Sequence, residues 1–280
     1  MVGRRIGFVD YKLDNYHANV LLAAIREKLK DRGFTVDGCW AIESESGKAW
    51  AAKKNVKWFD STDALNEHVD CYMILAPSNP ETHLDLCRRV LPFGKASYVD
   101  KTFAPDLKTA QEIFELADQH RTPVQTASAL RYTNVQRRVE ELGRENLKHM
   151  TAFGGGNSFA EYAIHPVEMV ISCMDADATS LTRRGTEPHA QLLVNFTADR
   201  TATINVYTQG DTPFAAALTT PKATVWAPVD TSSLFVDTAA ATLDFFEKGR
   251  PMIDRAESLM IRRILDAAGD AKAMKQFVEL

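Results

Sequence analysis

The stretch that decides the fold is residues 5–42, RIGFVDYKLDNYHANVLLAAIREKLKDRGFTVDGCWAI. It opens with the apolar run Arg5–Val9, which is typical of a buried strand. After a polar segment, the apolar side chains between Tyr16 and Arg32 recur on one helical face. Gly33 is placed to end that helix, and Phe34–Ile42 is typical of another strand. The stretch therefore predicts a strand–helix–strand unit.

The same alternation continues over about the first 125 residues. Further strands are predicted at 56–59, 71–76, 96–99 and 123–126, and further helices at 46–54, 62–68, 80–90 and 107–120. Strands that alternate with helices form a mostly parallel sheet covered on both faces, and right-handed crossovers make it doubly wound. We therefore predict an α/β, Rossmann-like domain over residues 1–127.

Residues 128–280 have a different pattern, which predicts an α+β domain. A two-residue rhythm runs from Ala190 to Thr208, where Ala202, Ile204 and Val206 face one way, as in a half-buried antiparallel strand. Helices are predicted at 134–147, around residue 165, at 234–248 and at 256–268. The sequence leaves open whether the C-terminal helix packs against the first domain.

Composition excludes several classes of partner. The net charge of −4 and pI of about 6.0 leave no broad basic field for nucleic acid or an anionic membrane. No stretch approaches the roughly 20 apolar residues that span a bilayer, and the start lacks a signal-peptide pattern, so we expect a cytoplasmic protein. The four cysteines stand apart in apolar contexts, which predicts buried thiols and no metal site.

Ligands of open α/β sheets bind beyond the carboxyl ends of the strands, and Lys101 follows such a strand directly after Asp100. One interpretation is a solvated loop lysine. The other is a lysine buried beside a cofactor, where its ammonium group donates a hydrogen bond or relays a proton to a substrate hydroxyl.

A second cluster is formed by Glu161, His165 and Glu168, whose i, i+4, i+7 spacing predicts one helix face if Pro166 falls in the first turn. A histidine one turn from a carboxylate suits general acid/base catalysis. A metal site would need a third ligand that the sequence does not offer at a suitable distance. The remaining interpretation is a capping histidine on a solvated face.

Several motifs, in order along the chain, resemble the Gfo/Idh/MocA family of glucose–fructose oxidoreductase and inositol dehydrogenase type enzymes. The segments that carry the resemblance are Ala76–His83 (APSNPETH), Gly94–Thr102 (GKASYVDKT), Gly154–His165 (GGGNSFAEYAIH) and Phe245–Pro251 (FFEKGRP). They are similar to the family's P-N-x-x-H, G-K-H-V-x-x-E-K-P and G-G-G … D-x-G-x-H-x-x-D motifs and to its usual ending.

The resemblance implies a Rossmann domain followed by a domain with an open, mainly antiparallel sheet, which in this family commonly forms homo-oligomers, here a dimer or tetramer. It implies hydride transfer between NAD or NADP and a carbinol carbon of a sugar, cyclitol or related polyhydroxy compound. Lys101 matches the signature lysine, His165 matches the acid/base histidine, and Glu161 stands in place of an aspartate.

The remaining site residues are assigned to the two ligands. Those expected on the cofactor side are Gly7, Asp10, Leu13, Glu43, Pro77, Asn79, His83 and Asp100. Those expected on the substrate side are Arg131, Tyr132 and Glu168. An acid at position 43 would hold the adenosine ribose, which favours NAD over NADP.

The loop after the first strand departs from the family. Gly7 is either the first glycine of the G-x-G-x-x-G motif or part of the strand, and nothing supplies the second, which lets the backbone approach the pyrophosphate. Asp10 and Asp14 place negative charge near the phosphate position, which Lys12 offsets in part. Farther along, Thr102 replaces the signature proline.

Two functions therefore stay open, and the first is an NAD(P)-dependent oxidoreductase. The second is a relative without ordinary dinucleotide exchange, with no cofactor or a permanently bound one. It would be a sugar-binding or regulatory protein, or a lyase or hydrolase that uses Lys101 and His165 as acid and base. An unrelated α/β domain is the remaining interpretation.

Overall fold

A computed structural model of the chain describes residues 4–174 and 176–280. The chain divides into two compact units. The first combines the residues up to Ala127 with Phe235–Arg255, and the second combines Ser128–Leu234 with Ala256–Leu280. The chain therefore passes from one unit to the other three times.

The two units contain thirteen strands and ten α-helices among the described residues. The strands are β1 (Arg4–Asp10), β2 (Phe34–Ala41), β3 (Lys57–Trp58), β4 (Cys71–Ile74), β5 (Ser97–Val99), β6 (Val124–Thr126), β7 (His149–Gly155), β8 (Ala178–Arg184), β9 (His189–Phe196), β10 (Arg200–Tyr207), β11 (Ala215–Thr219), β12 (Thr224–Pro228) and β13 (Val278–Glu279). The helices are α1 (Tyr16–Ala23), α2 (Ser44–Lys54), α3 (Thr62–Asn66), α4 (His83–Val90), α5 (Leu107–Gln119), α6 (Asn134–Leu142), α7 (Phe159–Tyr162), α8 (Ile164–Met174), α9 (Leu234–Lys248) and α10 (Arg255–Gly269).

The first unit is built on a six-stranded sheet in the order β3-β2-β1-β4-β5-β6, and every neighbouring pair is parallel. The strand order reverses at β1, which lies between β2 and β4. In open α/β sheets the crevice beyond the carboxyl ends of the strands at such a point binds the ligand. The predicted doubly wound α/β fold is confirmed.

The first helix is shorter than predicted. Regular α-helix ends at Ala23, and the next turn has the wider π spacing, in which Leu29 N–H donates to the carbonyl of Ala24. Gly33 adopts φ 73°, the left-handed conformation that ends a helix without steric cost for glycine. The predicted stop is thus confirmed, although the single helix to residue 32 is not.

Helix α9 belongs to the first unit, although it follows more than a hundred residues of the second. The ring of Phe246 lies 6.3 Å from that of Phe34 at the start of β2. Arg32 donates from Nη2 to Asp244 Oδ1 at 2.7 Å. The helix therefore covers apolar surface beside β2 and is held by a charged pair at its edge.

The second unit is built on a seven-stranded sheet in the order β12-β11-β7-β10-β9-β8-β13. All neighbouring strands are antiparallel except β7 and β10, which are parallel. Ala202, Ile204 and Val206 of β10 are buried on one face, as the two-residue rhythm predicts. The predicted open, mainly antiparallel sheet is confirmed.

Four strands of this sheet, β7, β8, β11 and β13, are not predicted from the sequence, and β7 includes two glycines of the run at 154–156. A Cβ on Gly154 would come within 2.9 Å of Pro166, and one on Gly155 within 2.2 Å of the Tyr207 carbonyl oxygen. Neighbouring atoms thus occupy the space that a side chain would take. The glycines are part of a close-packed strand, where glycine marks a close backbone approach.

Candidate active site

The carboxylate of Asp10, at the end of β1, organises the loop that follows. Its side chain is only 1% exposed, and Oδ1 accepts hydrogen bonds from the backbone N–H groups of Lys12 and Ala76, both at 3.0 Å. Oδ2 accepts from Asn15 Nδ2 at 2.8 Å. One side chain thus ties the β1 loop to the end of β4.

Burial has a strong effect on this group. Loss of solvation raises the pKa of Asp10 from 3.8 to about 7, even though three N–H donors oppose the shift by favouring the ionised form. The negative charge predicted near the phosphate position is therefore partly suppressed by burial and partly neutralised by hydrogen bonds.

Two residues predicted to contact the cofactor lie elsewhere. Gly7 is inside β1, and a Cβ there would meet Val69, Tyr72 and Leu65 at 3.1–3.3 Å, so the glycine permits packing within the unit. The side chain of Leu13 is fully buried beneath the loop. Of the two interpretations of Gly7, the structure supports the one that assigns it to the strand.

Helix α1 begins beside this loop with Asn15 as its cap, because Asn15 Oδ1 accepts from Ala18 N–H at 2.9 Å. In the same turn, His17 Nδ1 lies 2.5 Å from Asp100 Oδ2. His17 also packs edge-on against Phe235, with ring centroids 5.1 Å apart. This histidine–aspartate pair was not predicted, because its partners are 83 residues apart in sequence.

Asp100 is a buried carboxylate that remains ionised. Burial alone would raise its pKa, but the charge and hydrogen bond of His17, followed by Lys101, lower the pKa below its ordinary value. Its Oδ1 accepts the backbone N–H of Lys101 at 2.9 Å and the hydroxyl of Tyr98 at 3.4 Å. The site beyond β5 therefore holds a fixed negative charge.

Lys101 itself is 8% exposed, which excludes the interpretation as a solvated loop lysine. Nζ donates to the carbonyl of Pro77, beyond β4, at 3.2 Å. Within the described chain this is its single hydrogen bond, so further N–H donors of the ammonium group stay available. A buried lysine with spare donors is the kind of group that binds a substrate hydroxyl.

His83 and Asn79 have different surroundings from those predicted. His83 is fully buried, and its Nε2 and Nδ1 lie 2.5 Å from the carbonyl oxygen of Leu75 and 3.0 Å from that of Phe103. It therefore ties the loop after β4 to the loop after β5. Asn79 Nδ2 donates to Glu81 at 3.0 Å. These contacts indicate that His83 positions the loop of the lysine from beneath.

Glu43 lies two residues beyond β2 and next to the β1 loop. Its backbone N–H donates to the carbonyl of Tyr11 at 2.9 Å, and its Oε2 lies 3.6 Å from Lys12 Nζ. The side chain is partly exposed, so its oxygens remain accessible to a ligand.

The second unit carries the predicted acid/base residue. His165, in the first turn of α8, places Nδ1 2.8 Å from the hydroxyl of Ser128. Its ring is flanked by those of Tyr162 and Phe214, with centroids 5.9 Å and 5.8 Å away. The hydroxyl of Ser128 and the two neighbouring rings therefore help to orient the imidazole.

Glu161, His165 and Glu168 do not share one continuous helix, which corrects the predicted helix face. Glu161 is in the short helix α7, which ends before α8 begins. Pro166 lacks an N–H and cannot donate to the carbonyl of Tyr162, so an unbroken ladder from one helix to the next is impossible.

Glu168 and Arg131, predicted to contact substrate, form a buried ion pair instead. Glu168 is 3% exposed and accepts from Arg131 Nε at 2.8 Å and from the backbone N–H of Ser128 at 2.6 Å. Arg131 Nη2 also donates to Glu257 at 2.6 Å. Because these side chains form hydrogen bonds with one another and Glu168 also accepts the backbone N–H of Ser128, they position Ser128. Tyr132 follows them and is half-buried.

The charges of this ion pair follow from its surroundings. Burial raises the pKa of Glu168, and the positive charge of Arg131 limits that rise. Burial lowers the pKa of Arg131, but the charges and hydrogen bonds of Glu168 and Glu257 have the larger effect, so the arginine pKa lies above its ordinary value. Arg131 is therefore always charged, and Glu168 depends on it.

The described parts of the chain contain neither a metal-binding cluster nor a membrane-spanning helix. No three His, Cys, Asp or Glu side chains in residues 4–174 and 176–280 are grouped so that they could hold a metal ion. Over the same residues, no helix is both long and apolar enough to cross a membrane. All four cysteines are buried and free of disulfides, as predicted.

Comparison with known proteins identifies the first unit. Residues 6–128 match the GFO_IDH_MocA family model, which is described as an oxidoreductase family with an NAD-binding Rossmann fold. No curated protein matches the sequence of this chain.

Solved structures share the fold over almost the whole length. Myo-inositol 2-dehydrogenase from Lactobacillus plantarum is 11% identical, with 99% of each chain covered and a TM-score of 0.82. Scyllo-inositol dehydrogenase from Lactobacillus casei is 12% identical, with 99% of this chain and 98% of that chain covered and a TM-score of 0.83. GenD2 from gentamicin A biosynthesis, solved in complex with NAD, is 14% identical, with 100% and 97% covered and a TM-score of 0.83.

At these identities the solved structures establish the fold, and the family model establishes the kind of Rossmann domain. Both agree with the resemblance seen in the strand-end motifs. Residues 6–128 of this chain are therefore similar to the NAD-binding Rossmann domain of the Gfo/Idh/MocA oxidoreductase family.

Proposed function

We propose that this protein is an NAD-dependent oxidoreductase that transfers hydride to or from a carbinol carbon of a sugar, cyclitol or related polyhydroxy compound. The observation that carries the proposal is the state of Lys101, which is buried beyond β5 beside the ionised Asp100 and keeps spare donors on its ammonium group. Such a group is suited to bind a hydroxyl and to exchange a proton with it.

The reaction divides into a hydride and a proton. When bound, the nicotinamide ring supplies the acceptor for the hydride that leaves the carbinol carbon. The proton of the hydroxyl must pass to a group on the protein, and the chain offers Lys101 in its first unit and His165 in its second. Lys101 Nζ donates to the carbonyl of Pro77, and His165 Nδ1 is hydrogen-bonded to the hydroxyl of Ser128.

The β1 loop offers donors for a pyrophosphate in place of glycines. Asp10 takes the N–H of Lys12, and Asn15 takes that of Ala18. In the described chain, the backbone N–H groups of Tyr16 and His17 at the start of α1 form no hydrogen bond, and a helix N-terminus favours an anion. These two N–H groups and the Lys12 side chain would hold the phosphates.

Selection between the two dinucleotides would fall to Glu43. It stands beyond β2, where an acidic residue accepts from the ribose hydroxyls of NAD and repels the 2′-phosphate of NADP. We therefore propose NAD as the preferred cofactor.

The same loop favours one alternative, a relative that binds polyhydroxy compounds without ordinary dinucleotide exchange. Asp10 accepts the backbone N–H of Lys12, and no residue of the loop supplies the second glycine of the motif. Such a relative would be a sugar-binding or regulatory protein, or a lyase or hydrolase.

Titration with NADH and NADPH, followed by nicotinamide fluorescence, separates the two functions. Binding of NADH at submillimolar concentration, with weaker binding of NADPH, is expected. The protein as isolated is first denatured and checked for released nucleotide. If it holds no nucleotide and binds neither compound at millimolar concentration, the oxidoreductase proposal is wrong.

The role of Lys101 is tested separately with Lys101→Met, which keeps the length of the side chain and removes its charge. We expect turnover to be lost and NADH binding to be largely retained. Lys95→Met is the matched control, since Lys95 is also partly buried in the first unit but bonds to the carbonyls of Asn66 and Val69. Equal turnover in Lys101→Met and the control would refute the role.

We also propose that the sheet of the second unit forms a homo-oligomer, either a dimer or a tetramer. Trp226 of β12 is 56% exposed and packs edge-on against Phe153, with centroids 5.6 Å apart. An exposed tryptophan beside a partly exposed phenylalanine is typical of interfaces. Light scattering should give a multiple of 31.2 kDa, which Trp226→Glu reduces, and a monomer in the unmodified protein would refute the proposal.

A further inference from the structure

We infer that Ser128 is a positioning residue that keeps the ring proton of His165 on Nε2 rather than Nδ1. The inference rests on the proposed function and narrows the role of His165 to that of a hydrogen-bond donor, because it assigns which ring nitrogen carries the proton. It depends on the hydrogen bonds of one hydroxyl group in the second unit.

The argument begins with the donors and acceptors around Ser128. Its side chain is 0% exposed, so water does not compensate for a missing partner. Its Oγ accepts the backbone N–H of Leu130 at 3.3 Å, and it lies 2.8 Å from His165 Nδ1. Among the residues that the structure describes, the ring nitrogen is thus the only acceptor within reach of the hydroxyl hydrogen.

The tautomer follows from that geometry. A buried hydroxyl that cannot donate loses a hydrogen bond that water would have given it. Ser128 therefore donates its hydrogen to His165 Nδ1, which must offer a lone pair. A neutral imidazole with an unprotonated Nδ1 carries its proton on Nε2.

Ser128 is held firmly enough to impose this choice. Its backbone N–H donates to Glu168 Oε2 at 2.6 Å, and the other oxygen of that carboxylate accepts from Arg131 at 2.8 Å. Arg131 is fixed in turn by Glu257 on α10. A buried chain of charged hydrogen bonds therefore fixes the backbone from which the hydroxyl projects.

This assignment divides the proton chemistry of the proposed reaction. With a proton on Nε2, neutral His165 donates a hydrogen bond to a substrate oxygen and does not accept the hydroxyl proton. Removal of the hydroxyl proton in the oxidation direction then needs another base, and Lys101 can fill that role only as the neutral amine, whose lone pair takes the proton to form the ammonium group. In the reduction direction, the Nε2–H group polarises the carbonyl that receives the hydride.

Nitrogen NMR of the full chain, labelled with ¹⁵N at histidine, tests the inference directly. The His165 signals are identified as those absent from His165→Asn, and spectra are recorded at a pH where the ring is neutral. We expect Nδ1 to resonate as an unprotonated nitrogen and Nε2 as a protonated one. A protonated Nδ1 in the unmodified protein would overturn the inference.

Variants of Ser128 supply the second arm. Ser128→Ala should give a mixture of both tautomers, whereas Ser128→Thr, which keeps the hydroxyl, should restore the single form. Thr133→Ala is the matched control, because it removes another buried capping hydroxyl of the same unit that has no contact with histidine. An unchanged His165 spectrum in Ser128→Ala would also overturn the inference.

Kinetics then separate the inference from the proposed function. With a turning-over substrate, Ser128→Ala should lower kcat by ~10–100-fold, as when the partner that orients a histidine is removed, with little change in KM. If His165→Asn retains full turnover, the proposed role of His165 is wrong, while the NMR result still decides the tautomer. An Ser128→Ala enzyme with normal kcat but a mixed tautomer would refute the division of proton chemistry.

Discussion

The buried carboxylate of Asp10 gives a prediction in which the sign of a mutational effect changes with pH. In Asp10→Asn, the amide oxygen can still accept from the N–H groups of Lys12 and Ala76. Its NH₂ group, however, takes the place of Oδ2 and faces the NH₂ group of Asn15, which donates to Oδ2 in the unmodified protein. A lost hydrogen bond and a buried donor without a partner cost about 1–3 kcal/mol. At pH 4, where both side chains are neutral, we therefore expect the variant to be less stable.

The pH dependence opposes that loss. Because the pKa of Asp10 is about 7 in the folded protein and 3.8 when exposed, the folded state binds the proton more tightly between these pH values. The free energy of unfolding of the unmodified protein therefore falls as pH rises from 4 through 7, by about 4 kcal/mol from this group alone. Asparagine does not titrate, so the variant should be the more stable protein at pH 8.

Urea unfolding followed by tryptophan fluorescence measures this difference. Trp226 is the one tryptophan outside the first unit, so a Trp226→Phe background confines the signal to Trp40, Trp50 and Trp58. Asp14→Asn, at an exposed acid of the same loop, is the control and should follow the unmodified protein at every pH. If Asp10→Asn also runs parallel to the unmodified protein from pH 4 to pH 8, the burial argument for Asp10 is wrong.

Three further changes test the packing and the charges. Gly38→Ala would bring a Cβ within 2.5 Å of Leu65, so we expect the free energy of unfolding in urea to fall by about 1–3 kcal/mol. Gly269→Ala is the control and should be neutral, because no atom lies near its Cβ position, and equal effects of the two changes would contradict the packing argument. Glu168→Ala leaves Arg131 without its buried partner and should lower the free energy of unfolding by about 3–5 kcal/mol in the same assay. A loss below about 1 kcal/mol would show that the pair is not buried. His17→Ala removes the hydrogen-bond partner of the buried Asp100 carboxylate and should cost about 1–3 kcal/mol in the same urea unfolding, and an unchanged free energy of unfolding would show that this pair does not stabilise the first unit.

The fold of the first unit can be predicted from the sequence because the signals for a parallel sheet lie in short, local segments of the chain. Each strand is a short apolar run followed by an amphipathic helix, and the carboxyl ends of parallel strands lie at one edge. The placement of Asp10, Glu43 and Lys101 beyond their strands follows directly. Whether Lys101 is buried does not follow, because burial depends on the carbonyl of Pro77 and on neighbours from other strands.

Long-range polar pairs lie beyond such reasoning. His17 meets Asp100, and His165 meets Ser128, across 83 and 37 residues of sequence. No spacing pattern in the sequence connects these partners, although each histidine is next to a helix start and each partner follows a strand. The close packing of Gly155 does not follow from the sequence either, because the Tyr207 oxygen that fills its Cβ space comes from a strand elsewhere in the chain.

The three passages of the chain between its units have a consequence during synthesis. Helix α9 can pack against the first unit only after residue 248 has been synthesised. The apolar surface beside Phe34 is therefore exposed to solvent while the ribosome synthesises most of the second unit. The second unit waits in turn for α10. A nascent chain stalled at residue 127 should therefore recruit chaperones or be cleaved by proteases, and the gene cannot be divided at that codon into two independently folding halves.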